Sequence, residues 1–148
     1  MGIEIERKFL VKGEFIHLAV KKIRIKQAYF CIETERIIRL RITDNLGLLT
    51  FKSPPEGRSF TRNEWEFEIP IGQAEEMVTL CLPGMIDKTR YIVPFGNHIF
   101  EVDVFHGKNE GLVVAELELT SETEEFEKPE WLGEEVTGDP GYYNSSLV

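Results

Sequence analysis

Met1-Gly2-Ile3-Glu4-Ile5-Glu6-Arg7-Lys8-Phe9-Leu10-Val11 is the stretch on which the fold reading turns. Ile3, Ile5, Phe9 and Val11 alternate with charged residues, the period of a β-strand with one apolar face. Only Arg7 breaks the alternation. Glu4, Glu6 and Lys8 then project from the opposite face in a row, about 7 Å from one to the next. Two carboxylates can hold a hard divalent cation, and an ammonium two residues on can hold an anion. Taken alone, the stretch reads as a strand at the protein's edge with a solvated charged face.

The same pattern returns along the chain. Residues 23–32 read as a strand with Ile23, Ile25, Gln27, Tyr29 and Cys31 on one side, after a turn or brief helix around 14–22. Beyond a polar turn at 33–35, residues 36–43 and 48–53 form strands joined at Asp44-Asn45-Leu46-Gly47, whose residue types suit a left-handed hairpin turn. Pro54-Pro55-Glu56-Gly57 makes a loop, and residues 58–70 alternate at length. Residues 73–81 have helical spacing up to Pro83-Gly84. Residues 85–93 and 98–106 pair across Pro94-Phe95-Gly96-Asn97, and 112–120 is the last clear strand. Ser121 with Glu124 predicts a capped short helix to about 127, and the tail predicts a turn and a short terminal helix. Eight strands at short spacing, with helices only as connections, predict a mainly β (α+β) fold, an antiparallel barrel or sandwich forming one domain over 1–148.

The ionic face segregates by sign. Arg39 and Arg41, Lys52, and Lys88 and Arg90 are basic; Glu101 and Asp103, and Glu116 and Glu118, are acidic. Arg62, Glu64, Glu66 and Glu68 extend the series on 58–70. In a sandwich these charges would face water. In a closed barrel they would line the lumen, with apolar residues such as Ile5, Phe67 and Val102 facing outward under helices or a partner. Like charges two residues apart repel severely at low dielectric, so sign segregation indoors requires ligands of opposite sign. The pattern favours the lumen. The basic residues suit a polyanion with many oxygens, and the acidic ones offer only oxygen ligands, as Mg²⁺ or Mn²⁺ prefers. His17, His98 and His106 lack metal-site spacing and are expected in surface or packing roles.

With 148 residues, 42% hydrophobic and 29% charged, the chain can build a core and is globular. A net charge of −9 argues against nucleic acid or anionic membrane as a partner. Cys31 and Cys81 form no metal knuckle or disulfide framework. With no signal peptide and no apolar run of membrane length, a cytoplasmic protein is expected.

Glu4-Ile5-Glu6-Arg7-Lys8-Phe9-Leu10 resembles the ExExK signature of the CYTH superfamily, the triphosphate tunnel metalloenzymes. The likeness continues through Arg39-Leu40-Arg41, Thr50-Phe51-Lys52, Glu64-Trp65-Glu66, Lys88-Thr89-Arg90-Tyr91, Glu101-Val102-Asp103-Val104-Phe105 and Glu116-Leu117-Glu118, in order. That resemblance implies a closed eight-stranded antiparallel β-barrel with a few short helices, forming a tunnel open at its ends. It implies metal held by Glu4, Glu6, Glu116 and Glu118, with Asp103 and Glu64 as close candidates, and phosphates gripped by Lys8, Arg39, Arg41, Lys52, Lys88 and Arg90. A basic residue is expected in the tail near one mouth, where this chain has Tyr143 and Ser145.

The function expected is metal-dependent hydrolysis of a triphosphate, foremost inorganic tripolyphosphate to pyrophosphate and phosphate, by a short chain without a visible nucleoside-binding insertion. Glu4, Glu6, Lys8, Glu64, Lys88 and Asp103 are the catalytic candidates, and water would be activated by a second metal, the preferred route, or by a carboxylate such as Glu64 or Asp103. Lys88 is a rival base if Arg90 lowers its pKa far enough. The rivals are a class IV adenylate cyclase, a thiamine or nucleoside triphosphatase, and a polyphosphate-binding module without turnover. The acidic exterior leaves room for a homodimer contact.

Overall fold

A computed structural model describes residues 2–33, 35–55 and 59–148. Thr34, in the turn read at 33–35, and Glu56, Gly57 and Arg58, in the loop read at 54–57 and at the start of 58–70, lie outside the described residues. The strands are β1 (Gly2–Val11), β2 (Lys21–Glu33), β3 (Arg36–Ile42), β4 (Gly47–Lys52), β5 (Thr61–Ile69), β6 (Ile86–Phe95), β7 (His98–Phe105), β8 (Val113–Glu118) and β9 (Leu132–Glu135). The α-helix is α1 (Ile71–Met77).

All pairings are antiparallel, in the order β5-β4-β3-β2-β6-β7-β8-β1, and β5 returns to β1 to close an eight-stranded barrel. β1 is the seam. Its first half pairs β5 from Gly2 to Ile5, its second half pairs β8 from Glu6 to Leu10, and β9 adds at Phe9 and Val11. Closure removes the open edges that a twisted sheet would otherwise expose. β9 escaped the sequence reading because Leu132-Gly133-Glu134-Glu135 is too short and too polar to show alternation.

The main core lies outside the barrel wall. Ile5, Phe9, Phe100, Val102, Ala115 and Leu117 face outward and are buried against Phe15, Leu119, Trp131 and Leu132. Their cover is the irregular segment 119–136 and not a helix. Glu124 takes a hydrogen bond from the Thr120 amide, 2.7 Å, and pairs with His98, 2.5 Å, so the capping side chain does reach back. No helix follows at 121–127, because the chain must stay extended to set Phe126 against Phe9, Phe100 and His98. On the opposite side α1 packs on β3 and β4 and buries Ala74, but Phe67 stays 54% exposed, beside Trp65 and Phe51.

Two hairpins, the helix and the tail differ in detail from expectation. The β3–β4 hairpin forms, but none of the described non-glycine residues has positive φ, and Gly47 is needed for space: a Cβ there would meet the Ala74 Cβ of α1 at 2.5 Å. The β6–β7 turn is tighter than read, with Pro94 inside the strand opposite Ile99 and Gly96 at φ +60. Proline is tolerated there because β2 ends opposite Ile92, so no amide donor is needed on that side. The helix read at 73–81 starts at Ile71 and tightens to a 3₁₀ turn over Val78–Leu80. In the tail, two 3₁₀ turns, Pro140–Tyr142 and Asn144–Ser146, replace the single helix.

Candidate active site

Alternation turns the ionic residues inward, and antiparallel register stacks them in levels. At one end the lumen is filled by Tyr29, Ile86, Phe105 and Val114, with Leu147 and Val148 packed on them. This floor is apolar and bounds the ionic part of the lumen. Above it Lys8 stands opposite Glu116, and Glu116 opposite Glu101. One step further Glu6 stands opposite Glu118, and Glu4 lies beyond them on β1. A cavity of about 450 Å³ follows, lined among others by Glu4, Glu6, Lys8, Arg39, Arg41 and Lys52. Arg62, Glu64, Glu66, Arg90, Glu101, Glu116 and Glu118 complete its ionic wall.

Glu4, Glu6 and Glu118 each place a carboxylate oxygen within 4.8 Å of the others. Burial pushes Glu6 well above the usual carboxylate range, helped by Glu116 and Glu4. Glu118 is pushed up to about 7 by burial and by Glu4. Glu4 is the exception: burial would raise it, but the Lys52 ammonium at 2.9 Å holds it below the ordinary value. Glu116 is drawn well down despite its burial by Lys8 and Arg90, and shares a hydrogen bond with Glu6. Three crowded carboxylates with only oxygen donors fit a hard divalent cation, which would relieve the repulsion that now favours protonation.

The basic wall gathers Lys8, Arg39, Arg41, Lys52, Arg62 and Arg90 around the same cavity. Arg41 is half-buried, and desolvation together with its neighbours Arg39 and Arg90 lowers its guanidinium to about 9. Its side-chain hydrogen bond goes to the neutral Gln27 Oε1, 3.0 Å. The Arg39 Nε is buried without a hydrogen-bond partner among the described residues, while its Nη2 meets Thr50 Oγ1 at 3.3 Å. An orphaned guanidinium edge beside two further arginines is an anion site by its chemistry.

Lys88 and Asp103 are placed differently from their expected roles. Both are fully buried behind the cavity wall, and neither lines it. Asp103 spends both oxygens on its own chain: Oδ1 takes Arg90 Nε at 2.8 Å, and Oδ2 takes Arg90 Nη2 at 2.9 Å and Lys88 Nζ at 2.7 Å. That leaves it holding two cations, a geometry at odds with metal ligation or water activation. Burial lowers Lys88 to about 7, with Arg90 and Arg41 adding to the effect against the pull of Asp103. Its ammonium is nonetheless fixed, by Asp103 and by Asn144 Oδ1 at 2.8 Å. Of the histidines, His98 meets Glu124 and His106 meets Thr89 at 2.8 Å, both away from the cavity lining.

Sequence reasoning assigned no role to Arg62, Glu66 and Glu101, although their alternation with outward residues was a usable signal. Gln27 and Asn144 carried no signal, since neutral residues in a strand and an irregular tail look like filler, and Tyr143 was marked only as standing where a basic residue was expected.

The lumen of this closed β-barrel joins a carboxylate trio to the guanidinium groups of Arg39, Arg41 and Arg90, an arrangement whose chemistry suits a polyanion together with a cation. The chain matches the CYTH domain over residues 2–146, and it belongs to that family. It is 45% identical over 149 residues to the inorganic triphosphatase of Acetivibrio thermocellus, covering all of this chain and 94% of that protein. It is 38% identical to the inorganic triphosphatase of Nitrosomonas europaea, covering 98% of this chain and 96% of that protein. Among solved structures, that of the inorganic triphosphatase NE1496 superposes with TM-score 0.64 at 32% identity, over 97% of this chain and 95% of that one.

Proposed function

We propose that this protein hydrolyses inorganic tripolyphosphate to pyrophosphate and orthophosphate with Mg²⁺ or Mn²⁺. The observation that carries the reading is the juxtaposition, in one cavity, of the Glu4–Glu6–Glu118 trio with the Arg39–Arg41 pair. Arg39 reaches Glu66 only at 3.8 Å and leaves its Nε unpartnered among the described residues, and Arg41 bonds a neutral amide. The names of the two relatives support the inorganic substrate.

Arg39, Arg41, Arg90, Lys8 and Lys52 grip the phosphate oxygens and stabilise charge that shifts onto the leaving group. Glu4, Glu6 and Glu118, with Glu116 beside them, would hold the divalent cation, which supplies Lewis acidity toward the phosphoryl oxygens. Glu64 lines the cavity, 3.6 Å from Lys52, and its carboxylate is the group to take a proton from the attacking water. The water oxygen bonds to phosphorus, the bridging P–O bond breaks, and the displaced oxygen leaves on the other phosphate. Asp103 and Lys88 act from behind the wall by fixing the Arg90 guanidinium.

The residues that grip phosphate would serve an adenylate cyclase equally, with a ribose hydroxyl in place of water. Incubation with tripolyphosphate, ATP, thiamine triphosphate and pyrophosphate, each with Mg²⁺ and with Mn²⁺, separates the readings. Orthophosphate from tripolyphosphate is expected as the fastest reaction. Cyclic AMP as dominant product would overturn the hydrolase reading, and tight binding without turnover would leave a polyphosphate-binding module.

Neither nucleic acid nor membrane belongs to the proposal, given the net charge of −9; among the described residues no helix is long and apolar enough to cross a membrane. A cytoplasmic setting goes with it, since Cys31 and Cys81 are free thiols. A homodimer would use the uncovered outer face at Phe51, Trp65 and Phe67, which sedimentation equilibrium tests: Phe67→Glu should turn a dimer into a monomer, and a wild-type monomer removes this part of the proposal.

A further inference from the structure

The segment 136–148 does more than cover one end of the barrel. It is tied down at both of its ends. The Val136 amide donates to the Lys8 carbonyl at 2.8 Å, and Thr137 Oγ1 accepts from the Lys8 amide at 2.8 Å. At the other end Asn109 Nδ2 donates to the Leu147 carbonyl at 2.7 Å, and Leu147 and Val148 pack on the apolar floor. Between these anchors two side chains enter the cavity at floor level. Asn144 Oδ1 accepts from Lys88 Nζ at 2.8 Å and from Gln27 Nε2 at 3.1 Å. The Tyr143 ring lies 5.7 Å from the Lys8 ammonium and 5.3 Å from the Arg62 guanidinium.

These contacts have a particular chemistry. The Asn144 carbonyl oxygen takes one donor hydrogen from the Lys88 ammonium behind the wall and one from the Gln27 amide, so it holds the wall closed at this level and leaves neither hydrogen to a ligand. Tyr143 faces two cations without offering them a charge, so the cations stay available to an anion while the ring blocks the space behind them. Beyond both residues the lumen is solid with Tyr29, Ile86, Phe105 and Val114. The carboxylate trio stands on the far side of Lys8 along β1, from Glu6 at about 7 Å to Glu4 at about 13 Å by strand rise. A chain of condensed phosphate entering from the mouth would therefore meet a fixed stop at a fixed distance from the metal ligands.

We propose that Tyr143 and Asn144 form a chain-end stop, a specificity-determining subsite for the terminal phosphate of a linear condensed phosphate. The stop sets which P–O–P bridge lies beside the carboxylate trio. Hydrolysis then occurs at a fixed count of phosphates from the inserted end, and longer chains hang out of the open mouth. This inference rests on the triphosphatase reading and adds the register in which that reaction is run.

The test compares wild type, Tyr143→Ala and Asn144→Ala on tripolyphosphate, tetrapolyphosphate and long-chain polyphosphate, with early products separated by anion-exchange chromatography. Wild type should release one product length from the chain end. Each variant should give mixed lengths, the principal product falling about tenfold relative to the rest, with tripolyphosphate turnover retained in part. A melting curve accompanies each variant; should Asn144→Ala fail to fold, Tyr143→Ala, whose ring makes no hydrogen bond to the wall, decides alone. Unchanged product lengths in an active, folded Tyr143→Ala protein overturn the stop while leaving the triphosphatase reading intact. Internal cuts by wild type from the outset do the same. Failure of wild type to cleave any of the three substrates sinks the triphosphatase reading and takes the stop with it.

Discussion

Replacing Glu4 and Glu6 together by glutamine is expected to cut metal-dependent phosphate release from tripolyphosphate by about 1000-fold or more. The estimate follows from the several kcal/mol that a bound cation contributes to phosphoryl transfer, with every 1.36 kcal/mol worth about tenfold in rate. Glutamine keeps the volume and an oxygen at each position but removes two of the three charges gathered within 4.8 Å. In the metal-free protein the two changes oppose each other: losing Glu6 relieves the repulsion that pushes it upward, whereas losing Glu4 takes the 2.9 Å partner from the Lys52 ammonium, so the melting temperature should move little. Metal titration by calorimetry and a melt without metal check both halves. Undiminished turnover in the double variant would show that the trio does not hold the catalytic cation.

Asp103→Ala is expected to behave in the opposite way. Both of its oxygens compensate buried cations, and removing one partner of such a set typically costs about 3–5 kcal/mol. Lys88, already lowered to about 7, can escape part of the penalty by losing its proton, but Arg90 cannot. Urea unfolding of the metal-free variant should therefore show a large fall in midpoint. Phosphate release should fall with it, because the Arg90 guanidinium loses the carboxylate that orients it. If Asp103 were a metal ligand instead, the metal-free protein would be as stable as wild type and only its metal affinity would suffer. The unfolding experiment separates these two outcomes directly.

The contrast between Glu6 and Asp103 marks how far a sequence can be read. Both are acidic residues alternating with apolar ones, and both fall at motif positions. Register decides their difference. Glu6 lies opposite another carboxylate, Glu118, whereas Asp103 lies opposite Arg90 and reaches Lys88. Alternation tells which face a side chain takes, but not which charge it meets across the strand pair.

The period-two pattern gave the strands, their ionic face and the segregation of signs, because strand geometry transmits alternation straight into facing. It left barrel and sandwich open while favouring an inward ionic face, and the closed eight-stranded barrel came with the resemblance of the motif series. The pattern could not give the cover over Ile5 and Val102 or the strand β9. It could not give the apolar floor with Tyr143 and Asn144 either. These come from residues 119–148, where the backbone is irregular and carries no period, so that only packing against finished strands assigns each side chain a place. Local chemistry fixed what the lumen can bind; contacts between segments more than a hundred residues apart decided how deep a ligand can go.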